Sequence, residues 1–345
     1  MGKQATLRDI AQHCGLSLAT VSRVLSDSSY VVSDATRKRV LDSARQLNYT
    51  PNELGKSLKT RSTRDIGVIL PNITNPYYAL LLQGITDEAE KQGYHILLCS
   101  SHRNAAREAE NIMTLLGKRV DGILISSINP DLEAVRRAMY AGCRVIAIEQ
   151  TLDLNCPQVS FDYRQGALIA TQHLILLGHR RIGFIGAPLD RPSRRMMLEG
   201  YRAALSEAGI ALNPANEMLA GLESERVGVY EIENGGDCAR AFMKMDRMPT
   251  GYVCLNDMTA IGAMRAFWGA GYRIPEDLSL IGFDNIPFCE LTTPGLTTVE
   301  QHAYSLGRLS IRRMIEGEHA GEIPAPTLVV RGSTAPVRRD ADQRK

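Results

Sequence analysis

Residues 6–25 read TLRDIAQHCGLSLATVSRVL, and this stretch decides the architecture. Thr6 can cap a helix, and Asp9 three positions on completes a capping box. Leu7, Ile10 and Ala11 recur at helical spacing. Gly15 suits the left-handed residue that closes such a helix. Ser17 can cap a second helix, with Val21, Val24 and Leu25 as its apolar face. Two short helices about a glycine turn form the arrangement in which a second helix enters the DNA major groove. The opposite face carries Leu18, Ala19, Thr20, Ser22 and Arg23, groups suited to phosphates and base edges. An ordinary amphipathic helix pair in a globular core would share the pattern. A third helix is predicted from Ser33, with Val40, Leu41, Ala44 and Leu47 at helical spacing, broken at Tyr49-Thr50-Pro51.

The run ATVSRVL, preceded by GLS and followed by LNYTPN at 47–52, resembles the signature of the LacI/GalR family of bacterial transcription regulators, as does the T-x-x-D-I-A of the first helix. The similarity extends along nearly the whole chain. It implies that NELGKSLKTRSTR (52–64), too short and polar to be a stable helix alone, is a hinge that becomes helical in the DNA minor groove. Leu58 matches the family's wedge residue, and Asn52 matches a hinge contact. Gly55 stands where the family usually has Ala, which should weaken the hinge helix by up to about 1 kcal/mol. Leu18 and Ala19 match base-discriminating positions, and Arg23 matches the motif's Arg. The implied DNA contacts are therefore Thr6, Ser17, Leu18, Ala19, Thr20, Ser22 and Arg23, with Asn52 and Leu58 in the hinge.

The charge distribution agrees. Up to Arg64 there are eleven Lys and Arg against five Asp and Glu, a surplus of six. The chain total of +2 then leaves about −4 for the remainder. A small basic head on a mildly acidic body fits a head that binds a polyanion. The cysteines at 14, 99, 143, 156, 238, 254 and 289 include no C-x-x-C pair. Several sit in apolar strand-like runs, as expected of reduced, buried thiols in a cytoplasmic protein. No leader or membrane span is indicated, so a cytoplasmic location is expected.

From Asp65 the pattern alternates strand and helix. Apolar runs lie at 66–70, 94–99, 120–126, 145–149, 158–161, 181–186, 251–255 and 278–283. Helical stretches lie around 77–92, 106–118, 131–141, 164–177, 194–209, 236–246 and 258–270. This is the signature of parallel sheets with crossover helices. The strands are too many for one sheet, and the pattern restarts near residue 160. Two doubly wound lobes facing a cleft follow, and the resemblance implies a core like that of periplasmic sugar-binding proteins. After Pro294 a strand (296–301), a helix (303–317) and a strand (327–331) remain, which the family implies cross back between the lobes. The expected fold is α/β: a three-helix helix-turn-helix head (1–50), a hinge (51–64), a first lobe (65–162 with 294–325) and a second lobe (163–293 with 326–345).

Open α/β sheets bind ligands beyond the carboxyl ends of their strands. Polar groups recur there: Asn72, Ser100-Ser101, Ser126-Ser127, Glu149-Gln150, Asp162, Asn256-Asp257 and Asp284-Asn285. Their repetition suits a ligand rich in hydrogen-bonding groups. TNPYYA (74–79) resembles the family's effector-contacting loop, which implicates Asn75, Tyr77 and Tyr78. LDRPSRRMMLEGYRAAL (189–205) resembles an effector-contacting helix start. Arg191 and Ser193 match ligand-contacting positions, while Met197 stands where many members carry Arg or Lys. Arg195 could supply the displaced guanidinium. IGFDN (281–285) resembles a motif whose Asp holds the ligand, here Asp284. The expected ligand set is Asn75, Tyr77, Tyr78, Ser126, Asp162, Arg191, Ser193, Arg195, Asn256, Asp257 and Asp284.

No nucleophile elbow, dinucleotide fingerprint or P-loop is present, the histidines lack metal spacing, and no catalytic residue, metal or cofactor is expected. Trp268 is expected to pack rather than stack on a ligand. The function implied is a ligand-responsive repressor of carbohydrate or related catabolic genes, bound as a homodimer to a near-palindromic operator. A corepressor-dependent regulator of purine type and a stand-alone small-molecule binding protein are the alternatives. The closing APVRRDADQRK has no heptad repeat, which argues against a coiled-coil tetramer.

Overall fold

Thr6 opens the first helix, α1 (Leu7–Cys14), through the expected capping box: its Oγ1 accepts the N–H of Asp9 at 3.4 Å, and the Asp9 carboxylate accepts the N–H of Thr6 at 2.7 Å. Gly15 closes the helix in the left-handed region (φ 60°), where a Cβ would be strained. Ser17 Oγ accepts the N–H of Thr20 at 3.1 Å and starts α2 (Leu18–Leu25). Ser33 caps α3 (Asp34–Gln46). Ile10, Cys14, Val21, Val24, Val40 and Ala44 form the core of this head. The chain divides into two units, Met1–Thr63 and Arg64–Lys345. A computed structural model describes residues 5–25, 32–50, 62–219, 230–317 and 319–338. Asn52, Gly55 and Leu58 lie outside the described residues.

The second unit contains two sheets. In the first, β1 (Asp65–Leu70), β2 (His95–Ser100), β3 (Gly122–Ile125), β4 (Arg144–Ile148) and β5 (Gln158–Val159) run parallel in the order β2-β1-β3-β4-β5. In the second, β6 (Ile182–Gly186), β7 (Glu217–Leu219), β8 (Gly251–Cys254), β9 (Ser279–Asp284), β10 (Thr297–Glu300) and β11 (Thr327–Val329) take the order β11-β10-β9-β8-β6-β7. Among the described residues of this sheet only β11 runs antiparallel, along β10. The central strands are buried along nearly their whole length, because helices cover both faces, and so they read as continuous apolar runs.

α4 (Pro76–Lys91), α5 (Ala105–Gly117), α6 (Glu133–Tyr140) and α11 (Ala303–Glu316) cover the first sheet. α7 (Tyr163–Leu176), α8 (Pro192–Glu207), α9 (Tyr230–Phe242) and α10 (Asp257–Gly269) serve the second. Three helix pairs approach so closely that only glycine fits. A Cβ on Gly84 would stand 2.0 Å from the Tyr304 carbonyl, one on Gly200 2.1 Å from that of Arg164, and one on Gly262 2.0 Å from that of Ile232.

Two expectations are corrected, and one further strand has no sequence signal. The strand near 296–301, expected in the first lobe, is β10, which pairs in register with β9 (Thr297 opposite Ile281, Glu300 opposite Asp284) and belongs to the second sheet. Only α11 returns to the first lobe, against α4. The helix expected over 236–246 begins at Tyr230. The polar and glycine residues Asn234-Gly235-Gly236 hid its first turns, although Gly235 is required where the Thr259 carbonyl would meet a Cβ at 1.9 Å. β7, three partly exposed residues at a sheet edge, carries no apolar run to announce it.

Candidate functional site

The carboxyl ends of both sheets face one small cavity, with about 70 Å³ open to the centres of water molecules. Asn75 builds its first-lobe wall: its carbonyl Oδ1 caps α4 by accepting the Tyr77 N–H at 3.0 Å, so the chain turns and sends Tyr77 and Tyr78 inward. The two rings meet edge to face at 5.3 Å. Tyr78 Oη donates to Glu149 at 3.0 Å, Gln150 Nε2 donates to the same carboxylate at 2.7 Å, and Ser126 Oγ donates to it as well. Glu149 stands at φ 65°, a left-handed residue held by three donors, which is backbone strain of the kind that collects at functional sites. Burial and the Glu149 charge push the Tyr77 and Tyr78 hydroxyls well above their ordinary pKa.

On the second-lobe wall, Arg191 precedes α8, and Arg191, Ser193, Arg194 and Met197 all line the cavity. Gln150 Nε2 crosses between the lobes to Ser193 Oγ at 2.9 Å. Arg194 donates to Asp190 and to the Pro188 carbonyl, each at 2.9 Å, and to Tyr230 Oη at 3.1 Å. A second crossing joins Arg103 to Glu231 at 2.5 Å, with the guanidinium 4.0 Å from the Tyr230 ring centroid. Their side chains are 9 % and 6 % exposed, so this pair sits out of water. Asn256 caps α10 through the Thr259 N–H and also lines the cavity.

Asp284 ends β9 inside the cavity with φ 120°, followed by Asn285 at φ 55°. Gln301 Nε2 donates to its carboxylate, leaving Gln301 Oε1 buried without a donor among the described residues. Burial, then the charges of Asp257 and Glu149, hold the Asp284 carboxyl well above the usual range despite that donor.

Seven of the expected ligand residues therefore line one cavity: Asn75, Tyr77, Tyr78, Arg191, Ser193, Asn256 and Asp284. Four do not. Ser126 is buried behind the wall and orients Glu149. Asp162 is exposed and caps α7 by accepting the Gln165 N–H at 2.9 Å. Arg195 is exposed and donates to the Leu189 carbonyl, because a helical step of one residue turns Arg194 inward in its place. Asp257 is fully buried beneath Asp284, bonded to Ile286 and Thr298. Sequence reasoning missed Arg103, Glu149, Gln150, Tyr163, Arg194, Tyr230, Glu231 and Gln301 as lining residues. Glu149-Gln150 were visible as a polar strand end; Arg103 and Glu231 carried no local signal.

In the head, Thr6, Ser17, Leu18, Ala19 and Arg23 are exposed and Thr20 and Ser22 are half-buried, with Leu18 44 % exposed despite its apolar side chain. Among the described residues no helix is long and apolar enough to cross a membrane, and no cluster of metal-ligating side chains occurs.

A helix-turn-helix head and a two-lobed core with a polar interlobe cavity define a ligand-responsive DNA-binding regulator. Residues 6–52 match the model for bacterial regulatory proteins of the lacI family, and residues 63–330 match that for periplasmic binding proteins and the sugar binding domain of the LacI family. The chain belongs to the LacI family of transcriptional repressors. It is 32 % identical over 337 residues to the HTH-type transcriptional repressor PurR of Pasteurella multocida, covering 95 % of this chain and 98 % of that one. It is 33 % identical over 328 residues to the ribose operon repressor of Escherichia coli, covering 94 % of each. Its fold superposes on a lac repressor dimer bound to operator and the anti-inducer ONPF with a TM-score of 0.84, at 25 % identity, over 96 % of this chain and 100 % of that one.

Proposed function

We propose that this repressor binds a near-palindromic operator as a homodimer and responds to a small, uncharged, hydroxyl-rich ring, a monosaccharide or a close derivative, held between the lobes. The charge balance of the cavity carries the reading. Two of the guanidiniums are met by carboxylates: Arg103 by Glu231 and Arg194 by Asp190. An anionic ligand finds Arg103 and Arg194 already engaged and faces Glu149 and Asp284 as well, and any fully charged ligand loses its hydration on entry. A neutral ring offers hydroxyls to Asp284 and Gln301 and a face to the tyrosines, as ligand pockets with a few convergent polar groups require. The likeness to the ribose operon repressor supports the same class. A second reading, a purine, draws support from the four lining tyrosines and the likeness to PurR. DNA contact by Leu18, Ala19 and Arg23 is supported by their exposure on one helix.

Thermal unfolding of the full chain with millimolar D-ribose, other neutral pentoses and hexoses, their phosphate esters, and free purines separates these, since a ligand binding only the folded state raises the midpoint by mass action. The expected result is a rise with a neutral sugar and none with its phosphate. A rise confined to purines would transfer the chain to the second reading.

A further inference from the structure

We propose that Asp257, although outside the cavity, is the positioning residue of the effector site: its carboxylate anchors the backbone at Asn285 and Ile286 from beneath and so holds Asp284 on the cavity wall. This rests on the cavity's being the effector site. Asp257 is the first residue of α10 and is fully buried. Its Oδ2 accepts the N–H of Ile286 at 2.9 Å, and its Oδ1 accepts the hydroxyl of Thr298 at 2.6 Å. That hydroxyl oxygen in turn accepts the N–H of Asn285 at 3.3 Å. Two successive backbone N–H groups therefore end on one carboxylate, the second through Thr298.

The backbone explains why an anion is needed. Asp284 and Asn285 both have positive φ, 120° and 55°; Asn tolerates the left-handed region, whereas φ 120° at Asp284 favours glycine and needs support. The N–H groups of Asn285 and Ile286 that follow from this turn end on an acceptor supplied by the protein itself, Ile286 directly and Asn285 through Thr298. The fit leaves no slack: a Cβ on Gly282 would lie 2.0 Å from Asp257 Oδ1. From the other side Arg331 donates to Asn285 Oδ1 at 2.8 Å. The segment is thus gripped at each residue, and only Asp284, bonded to Gln301, presents its side chain to the cavity.

The test uses the full chain and two readouts. Hydrogen exchange across 284–290 should be about tenfold faster at Asn285 and Ile286 in Asp257→Ala, with β1 unchanged as the reference. Thr298→Val should release Asn285 alone. D-ribose is the ligand probe, read by thermal shift, and its affinity should fall about tenfold in Asp257→Ala. Asp257→Asn keeps the shape and one acceptor, so it should partly restore both readouts, and it serves if the alanine variant fails to fold. Unchanged exchange at 285–286 overturns the proposal, and so does faster exchange with wild-type affinity for D-ribose. If D-ribose does not shift the wild type, the sugar reading fails by itself and the exchange readout alone decides the role of Asp257.

Discussion

The two surfaces proposed for recognition in this repressor are built on opposite principles. In the head, Ser17, Leu18, Ala19 and Arg23 come from one short stretch and are exposed. In the core, the lining residues come from both sheets and most are buried, including Arg191, Arg194, Glu231 and Asp284. DNA presents a hydrated polyanion whose grooves are read from outside, so a reader can wait in water. A small ring must be stripped of water, so its site holds polar groups that are already buried and must be mutually satisfied. Changes in the cavity should therefore reach the stability of the core, whereas changes at Leu18, Ala19 and Arg23 should reach only DNA.

Four variants can break or sharpen that contrast. Glu231→Ala should have the largest effect. It strands the buried guanidinium of Arg103, and the core should lose about 3–5 kcal/mol, read by urea unfolding; a loss under about 1 kcal/mol would mean that the pair is solvated. Arg23→Ala should leave stability unchanged and weaken operator binding by about 1–3 kcal/mol for one base contact, read by a salt-controlled gel shift; normal affinity would remove Arg23 from the reading face. Thr6→Ala deletes the cap of α1 and should cost the head about 1 kcal/mol, seen in head unfolding with the core transition in place.

The smallest signal is a slope. Asp284 keeps its proton to higher pH when folded than when unfolded. Above the ordinary carboxylate pKa the unfolded chain therefore binds fewer protons, and stability falls as pH rises toward the folded value. Asp284→Asn cannot ionise. It should remove part of that slope and stabilise the core near neutrality; Asp257, raised by the same burial, keeps the rest. Thermal midpoints across the acid-to-neutral range that run parallel in the two proteins would show that Asp284 is already ionised at low pH.

Which parts were legible in the sequence follows the same divide. The head could be read because its caps, turn and apolar face lie within three or four residues of one another, as Thr6 with Asp9 and Ser17 with Thr20 show. Strand ends such as Asp284 could be read because apolar runs stop there. Facing could not: Arg194 and Arg195 are adjacent and alike, and the helix phase alone decides which is buried. Asp257 and Asp284 both follow apolar strand runs, yet one anchors the backbone just beyond the other. Arg103 and Glu231 are 128 residues apart, and only the approach of the two lobes pairs them. β10 was placed in the wrong lobe because a strand's sheet depends on register with β9, not on its own composition.

The central claim is that occupancy of the interlobe cavity controls DNA binding. The direct measurement is fluorescence anisotropy of the full chain on a duplex it selects from a random pool, titrated with whichever compound gives the largest thermal shift. The wild type should change its DNA affinity along the titration. Asp284→Ala should bind the duplex equally well without compound and lose most of the response, its midpoint displaced about tenfold or more by unpaired donors in the closed cavity. Identical midpoints in the two proteins would contradict the account and place the effector elsewhere.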